Sequence, residues 1–363
     1  MKKKIKTAIV CFFTASKGGH GSAEVSLGVF KSTKGKKKLF EFNESKKSNG
    51  LILSNIKKIF FLILTIFRLK KFFIGKSKNI IFIEGASWIG YTFLLIFISK
   101  TFLRNIFIVY HAHNVEYEIR LKKNNILISF ISKIFERYVY KNSDVATSVS
   151  RHDQRIIKNL YGLNSYVFIN GIDDDRLRTK KIKNILPKNF YLYTGSYLYN
   201  PNKIALDELI NNIYPKLIKK YPNLYMIVTG KGLPSNLIKN KKIIHFKFLK
   251  KENLNYLIRK ANFLLLPLKK APGTKIKIIE ALLIGSQIIT TRHGVRGIQL
   301  NNSKQPYIYK NYNQLFNYID YLMNRDNKKK KKINYNSKFY KENFLIKNIM
   351  KKFQSKFYGK LLK

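Results

Sequence analysis

A chain of 363 residues, 45% of them hydrophobic, is too long for one ordinary core and suits two α/β domains of similar size. Lys and Arg number 71 against 19 Asp and Glu, a formal charge of +52, which excludes an acidic or charge-balanced surface. A codon bias toward Lys, Ile, Asn and Phe would raise Asp and Glu as well, so part of the excess points to a polyanionic neighbour: anionic lipid, a phosphorylated acceptor or nucleic acid.

The chain opens MKKKIKTAIVCFF, a basic start and a short apolar stretch. A Gly-rich loop follows where a leader would place its cleavage site, so this reads as a first strand over 7–13. The single cysteine, Cys11, lies inside it; no disulfide framework is possible, and a reducing cytoplasm fits. Further apolar runs read as buried parallel strands over 38–42, 80–84, 106–110, 145–149 and 166–169. Helical patterns lie between them over 22–30, 55–71, 87–102, 117–140 and 151–160. Two of these hold strongly apolar stretches, 59–67 and 88–99, which a Lys or Arg ends before they reach spanning length, so they are expected as core or interfacial helices. Asn170-Gly171 breaks the alternation, and a polar, Lys-rich stretch runs to 188. A second alternation then begins: strand 190–194, helix 203–219, strands 224–228 and 243–246, helix 252–259, strand 263–267, helix 275–283, strand 287–290. A Lys run over 328–332 reads as a solvated linker, and an amphipathic segment over 335–362 ends the chain.

Strand–helix alternation implies doubly wound parallel sheets. The expected organisation is a first domain over 1–175, a second over 189–326, and a linker with a final helix over 327–363. Ligands of such sheets bind outside the strand C-termini, so the site is expected in a cleft between the domains.

Four loops carry candidate chemistry. SKGGHGSAE, from Ser16, places Gly18 and Gly19 between the first strand and helix, where backbone can approach an anion. It is neither GxGxxG nor a P-loop, and a tight connection without a ligand explains it equally well. YHAHNVEYE places His111, His113, Asn114 and Glu116 at a strand end. Its spacing fits no helical zinc motif, and a hydrogen-bonded His in a cleft describes it better than a metal ligand. Asp173, Asp174 and Asp175 follow a turn leaving the first domain and read as linker and helix cap, not a metal–diphosphate site. The longest informative stretch is LLLPLKKAPGTKIKIIEALLIGSQIITTRHGVRG, from Leu264. Gly273-Thr274 opens a helix there, Thr274 can cap it, and the free N–H groups of its first turn suit a diphosphate, with Lys269, Lys270 and Lys275 to neutralise charge. Glu280, further along that helix, can accept two O–H bonds from a ribose diol; the alternative is a surface residue of an amphipathic helix.

With these residues in view, the chain resembles the family-four glycosyltransferases. YLYTGSYLYNPNKIALDEL, from Tyr191, is similar to the start of that family's C-terminal domain, with a Gly turn at Gly195, a Pro-Asn pair ending in Asn202, and a second Gly-rich turn around Lys231. SDVATSVS with VFINGID resembles its crossover, and His113-Asn114-Val115-Glu116 its acceptor-side histidine motif. The resemblance, in order over 7–298, implies a GT-B fold: two Rossmann-like domains facing a cleft. It implies a nucleotide-sugar donor held by the second domain at Gly195, Asn202, Lys231, Gly273, Thr274, Lys275 and Glu280; Gly18 and Gly19 of the first Gly-rich loop are further donor-binding candidates. It further implies an acceptor on the first domain, catalysis by His113 and Glu116, retained anomeric configuration, no essential metal or cofactor, and a C-terminal helix crossing back to the first domain. One departure stands out: where many members carry a first Glu, this chain has Pro272, as in the branch with a Gly-x-Lys turn.

The expected activity is therefore transfer of a sugar to a glycan or lipid-linked acceptor, in cell-surface polysaccharide biosynthesis, at the cytoplasmic face of an anionic membrane without spanning it. A sugar-nucleotide epimerase of the same architecture would need acid–base carboxylates that are scarce here. A non-enzymatic protein binding nucleic acid or anionic polymer would explain the charge, but no nucleic-acid module is visible.

Overall fold

The computed structural model describes residues 4–16, 21–43, 51–75, 77–121, 126–183, 185–238, 240–269, 274–301, 306–324 and 335–362. The chain divides into two units, Met1–Asp173 with Ile346–Lys363, and Asp174–Leu345.

In the first unit, six parallel strands stand in the order β2-β1-β3-β4-β5-β6: β1 (Lys4–Cys11), β2 (Lys36–Glu41), β3 (Ser77–Gly85), β4 (Ile106–Ala112), β5 (Val145–Ser148) and β6 (Tyr166–Val167). Both faces are covered, which is why the strands read as unbroken apolar runs. Side chains alternate between two cores with the period of two that a strand imposes. Ala8, Val10, Ile81, Ile83, Ile108 and Tyr110 enter one core. It is closed by α2 (Leu51–Phe72), α3 (Ile89–Phe102), α5 (Ile126–Asn142) and α6 (Arg151–Tyr161). Ile9, Cys11, Ile80, Phe82 and Val109 enter the other, against α1 (Gly21–Ser32) and the last helix of the chain, α13 (Ile346–Leu362).

The helix expected over 117–140 is two helices, α4 (Glu116–Leu121) and α5. The physical reason lies in Glu136 of α5, whose carboxylate accepts the N–H groups of Glu116 (2.8 Å) and Tyr117 (3.1 Å). The side chain thereby caps the start of α4, which a continuous helix could not allow.

In the second unit, six parallel strands stand in the order β12-β11-β10-β7-β8-β9. They are β7 (Phe190–Thr194), β8 (Tyr225–Thr229), β9 (Ile243–Phe246), β10 (Phe263–Leu266), β11 (Ile288–Thr291) and β12 (Tyr307–Tyr309). Helix α7 (Asn200–Glu208) runs through one π turn (Leu209–Ile213) into α8 (Tyr214–Lys220), and α9 (Lys251–Lys260) precedes β10. Helix α10 (Ile276–Ile284) stops at Gly285, a left-handed C-cap with φ +82°. Then come α11 (Tyr312–Met323), capped by Asn311, and α12 (Tyr335–Phe344), which packs on α10. The Lys run over 328–332 lies outside the described residues. Among the described residues, no helix is long and apolar enough to cross a membrane.

Candidate functional site

Strand order reverses beside β1 in the first unit and beside β7 in the second, and ligands of open parallel sheets bind at such points. In the first unit, strand parity sends Glu84, His111 and His113 to the α1 side of the sheet. Glu84 is fully buried, and its Oε2 accepts from the Ser26 hydroxyl (2.8 Å) and meets His111 Nδ1 (2.9 Å) and His113 Nε2 (2.7 Å). Burial alone would push this carboxyl up; the charge and hydrogen bonds of His111 and His113 override it and hold it well below the usual carboxylate range. Glu84 Oε1 and His111 Nε2 are buried with no hydrogen-bond partner among the described residues. Glu84 therefore fixes the ring of His113, a partner the sequence reading missed. Its only signal was a charged residue ending an otherwise apolar strand.

These three residues are also the one group among those described whose His, Cys, Asp or Glu ligand atoms gather closely enough for a cation, all within 4.8 Å. Their contacts to Glu84 have hydrogen-bond lengths, shorter than the roughly 3.3 Å between donors sharing a tetrahedral ion at about 2.0–2.1 Å. The Asp run does not gather: Asp173 pairs with Lys31 (2.7 Å) and Asp175 with Arg178 (2.6 Å).

Glu116 turns to Arg120 one helical turn on (2.6 Å). Beneath it, Glu136 also accepts the Tyr161 hydroxyl (2.7 Å). Burial pushes the Glu136 carboxyl up to about 7, against the opposing pull of Tyr161 and the two backbone N–H groups.

In the second unit, β7 ends at Thr194-Gly195. A Cβ at Gly195 (φ +154°) would stand 2.8 Å from the Asn202 side chain, and one at Gly230 (φ +139°) 2.3 Å from the Gly195 carbonyl oxygen, so both turns require glycine. Asn202 donates to the Ser196 carbonyl (3.0 Å), and the Lys231 carbonyl accepts from the Tyr197 N–H (2.8 Å). Lys277 of α10, outside the expected site, completes the knot by donating to the Thr194 carbonyl (2.8 Å) and Asn202 Oδ1 (2.9 Å). Burial, then the neighbouring Lys275, lower the Lys277 pKa to about 7; burial, then Arg296, lower that of Lys275 to about 8. Two cations whose charge the protein disfavours at the start of a helix suit an anion that restores it.

Thr274 does not cap α10. Lys275 is its N-cap residue and makes no side-chain cap bond, while Thr274 Oγ1 is buried without a partner among the described residues. Gly18, Gly19, Lys270, Pro272 and Gly273 lie outside the described residues. Glu280 is buried and no surface residue: its two oxygens pair with Arg176 and with Lys251 (2.6 Å).

Two Rossmann-like parallel sheets in one chain match solved structures of the GT-B fold. This chain is similar to HepE of Anabaena, determined with UDP and glucose (12% identity over 97% of this chain and 99% of that one, TM-score 0.66). It is similar to sucrose-phosphate synthase of Thermosynechococcus elongatus (12%, 98% and 99%, TM-score 0.68) and to a glycosyltransferase of Rickettsia africae (15%, 100% and 100%, TM-score 0.65). Residues 188–325, less than half of the chain, match the family model described as Glycosyl transferases group 1. No curated protein matches the chain in sequence.

Proposed function

We propose that this protein is a nucleotide-sugar-dependent glycosyltransferase, using no catalytic metal. It transfers a hexose with retention to a glycan or lipid-linked acceptor at the cytoplasmic face of an anionic membrane, in cell-surface polysaccharide synthesis. The observation that carries the proposal is the start of α10, where Lys275 stands buried at the helix N-terminus and Lys277 ties the helix to the turn that holds Gly195 and Asn202, within the stretch that matches the family model.

A departing nucleoside diphosphate gains negative charge as the sugar gains oxocarbenium character. The first-turn N–H groups of α10, with Lys275 and with Gly273 and Thr274 before it in the sequence, take up that charge; loss of one such donor costs on the order of 100-fold in rate. Lys277 holds the end of β7 and Asn202 against this helix. A carboxylate offers about four lone-pair sites; in Glu280, two serve Arg176 and Lys251 and the others accept the ribose diol. His113, held by Glu84, orients the donor sugar, and Glu116, paired with Arg120, serves the reaction from the same loop. In retention the acceptor attacks the face the leaving group departs from, so no opposite-face base is required.

HepE was determined with UDP, so uridine nucleotides head the panel to be tried. At about 100 times its dissociation constant, a nucleoside diphosphate should raise the melting temperature by roughly 5 °C. Stabilisation by RNA with no nucleotide effect would overturn the proposal in favour of a polymer-binding protein. Transfer should survive excess EDTA, and the anomeric coupling in the NMR spectrum of the product should match that of the donor.

A further inference from the structure

The first unit carries an apolar surface that its own core does not use. Helix α2 is apolar on two sides. Leu62, Ile66 and Leu69 are buried against the sheet, while Ile56, Phe60, Ile63 and Phe67 form a second stripe in water, spaced four, three and four residues apart, with Phe67 68% exposed. Helix α5 is turned inside out over its first half. Ser129, Ser132 and Glu136 face the interior, and Ile126, Leu127, Phe130 and Ile134 face solvent, Ile126 at 79% exposure. The reversal is built in, because the buried polar groups are satisfied: Ser132 accepts the Trp88 indole N–H (3.3 Å), and Glu136 caps α4. Helix α3 packs against both α2 and α5 on the same side of the sheet and exposes Phe97 and Phe102. Phe97 stacks on Phe93, and Phe93 on Phe135 of α5, so the aromatic surface continues from one helix to the next. A face of this kind on a monomer marks an interaction site.

Charge identifies the partner. Helices α2 and α3 contain no acidic residue, and the only one on α5, Glu136, is buried. Lys57, Arg68, Lys70 and Lys71 border the apolar stripe of α2, and Lys133 and Arg137 lie on α5. A second copy of this chain would bring two such faces, both basic and without exposed acids, against each other. Nucleic acid would meet the cations but leave the aliphatic and aromatic rows without use. An anionic bilayer satisfies both, taking apolar side chains among the acyl chains and Lys and Arg at the headgroups.

We infer that α2, α3 and α5 together form the membrane-docking surface of this protein and that its partner is anionic lipid. The inference rests on the membrane attachment proposed above and assigns the surface that makes it. The full chain is mixed with vesicles of phosphatidylcholine, with or without one-third phosphatidylglycerol, and bound protein is read by co-sedimentation. The wild-type protein should bind the anionic vesicles and lose affinity steeply as salt rises. Phe60→Ser with Phe67→Ser on α2, and separately Ile126→Ser with Phe130→Ser on α5, should each weaken binding by at least about tenfold, since each removes two large apolar groups. Both variants replace exposed side chains, so their melting temperatures and their stabilisation by nucleoside diphosphate should match wild type. Wild-type binding unaffected by both variants would overturn the surface assignment and leave membrane attachment standing. No binding of wild type to anionic vesicles, or equal binding to neutral ones, would overturn the attachment and leave sugar transfer untouched. A light-scattering mass twice the 42.7 kDa of the chain, reduced to one chain by these variants, would assign the face to a second copy.

Discussion

Glu84 and Lys275 show how much of a side chain's chemistry comes from distant partners. His113 was legible because two His and two Glu cluster after an apolar strand, but Glu84 lies 29 residues earlier, on another strand. Its three partners converge on one oxygen, so Glu84→Gln can keep an acceptor there but loses the negative charge that draws them, and holds the His113 ring less firmly. Turnover should fall by about 10- to 100-fold with little change in the donor's KM, the effect expected when a supporting hydrogen bond is lost. His113→Ala should cost a similar factor, and the double variant little more, because Glu84 acts through the ring it holds. Full additivity in the measured kcat values would deny that link. Lys275 yields a pH prediction. Its pKa is lowered to about 8, so the free protein sheds its charge as pH rises through that value, while a bound diphosphate favours the charged form. Affinity for nucleoside diphosphate should therefore decline between pH 7 and 9. Calorimetry near pH 8, in buffers of different ionisation enthalpy, should register proton uptake, and Lys275→Met should reduce it.

Helices α4 and α5 illustrate an error that periodicity invites. An apolar pattern over 117–140 is consistent with one long helix, and nothing local announces that a carboxylate 20 residues away will claim the first N–H groups. The same pairing creates a titration. Glu136 has a folded pKa raised from 4.5 to about 7. Below pH 4.5 the carboxyl is protonated in folded and unfolded chains alike, and its contribution is complete. As pH rises toward 7 the unfolded chain gives up its proton first, so stability declines, by on the order of 3 kcal/mol at most. The comparison that isolates this is denaturant unfolding of wild type against Glu136→Gln. The difference between them should change over this window and level off above pH 7; a constant difference would mean that Glu136 does not titrate there. Helix α10 was placed to within a residue by Gly285 and the run before it. Its cap was misassigned, since the choice between Thr274 and Lys275 depends on backbone angles that neighbouring strands impose.

Across the whole chain, the last helix carries the clearest energetic consequence. Helix α13 returns to the first unit and buries Ile346, Ile349, Met350 and Phe353 beside β1 and β3. Gly28 and Gly171 let it approach, since a Cβ at Gly171 would fall 2.8 Å from the Ile346 backbone. Phe353, fully buried among Phe82, Phe168 and Phe357, should cost about 3–5 kcal/mol when replaced by Ala, read as a shift of the urea midpoint. A change below 1 kcal/mol would mean that this seam contributes little. The two alternations of apolar runs and amphipathic segments were enough to read two doubly wound parallel sheets, because strand burial on both faces and helix amphipathicity are short-range patterns repeated many times. Glu280 could be singled out by its offset from the start of a helix, and Gly195 and Asn202 through the resemblance of the stretch around them to the family's C-terminal domain. Their partners could not. Lys277 on Asn202, Arg176 and Lys251 on Glu280, Glu84 on His113, and the outward apolar rows of α2 and α5 all depend on which strands become neighbours and which helix face the sheet covers. Those choices follow from the pairing of segments far apart in the chain, where no local spacing records the partner.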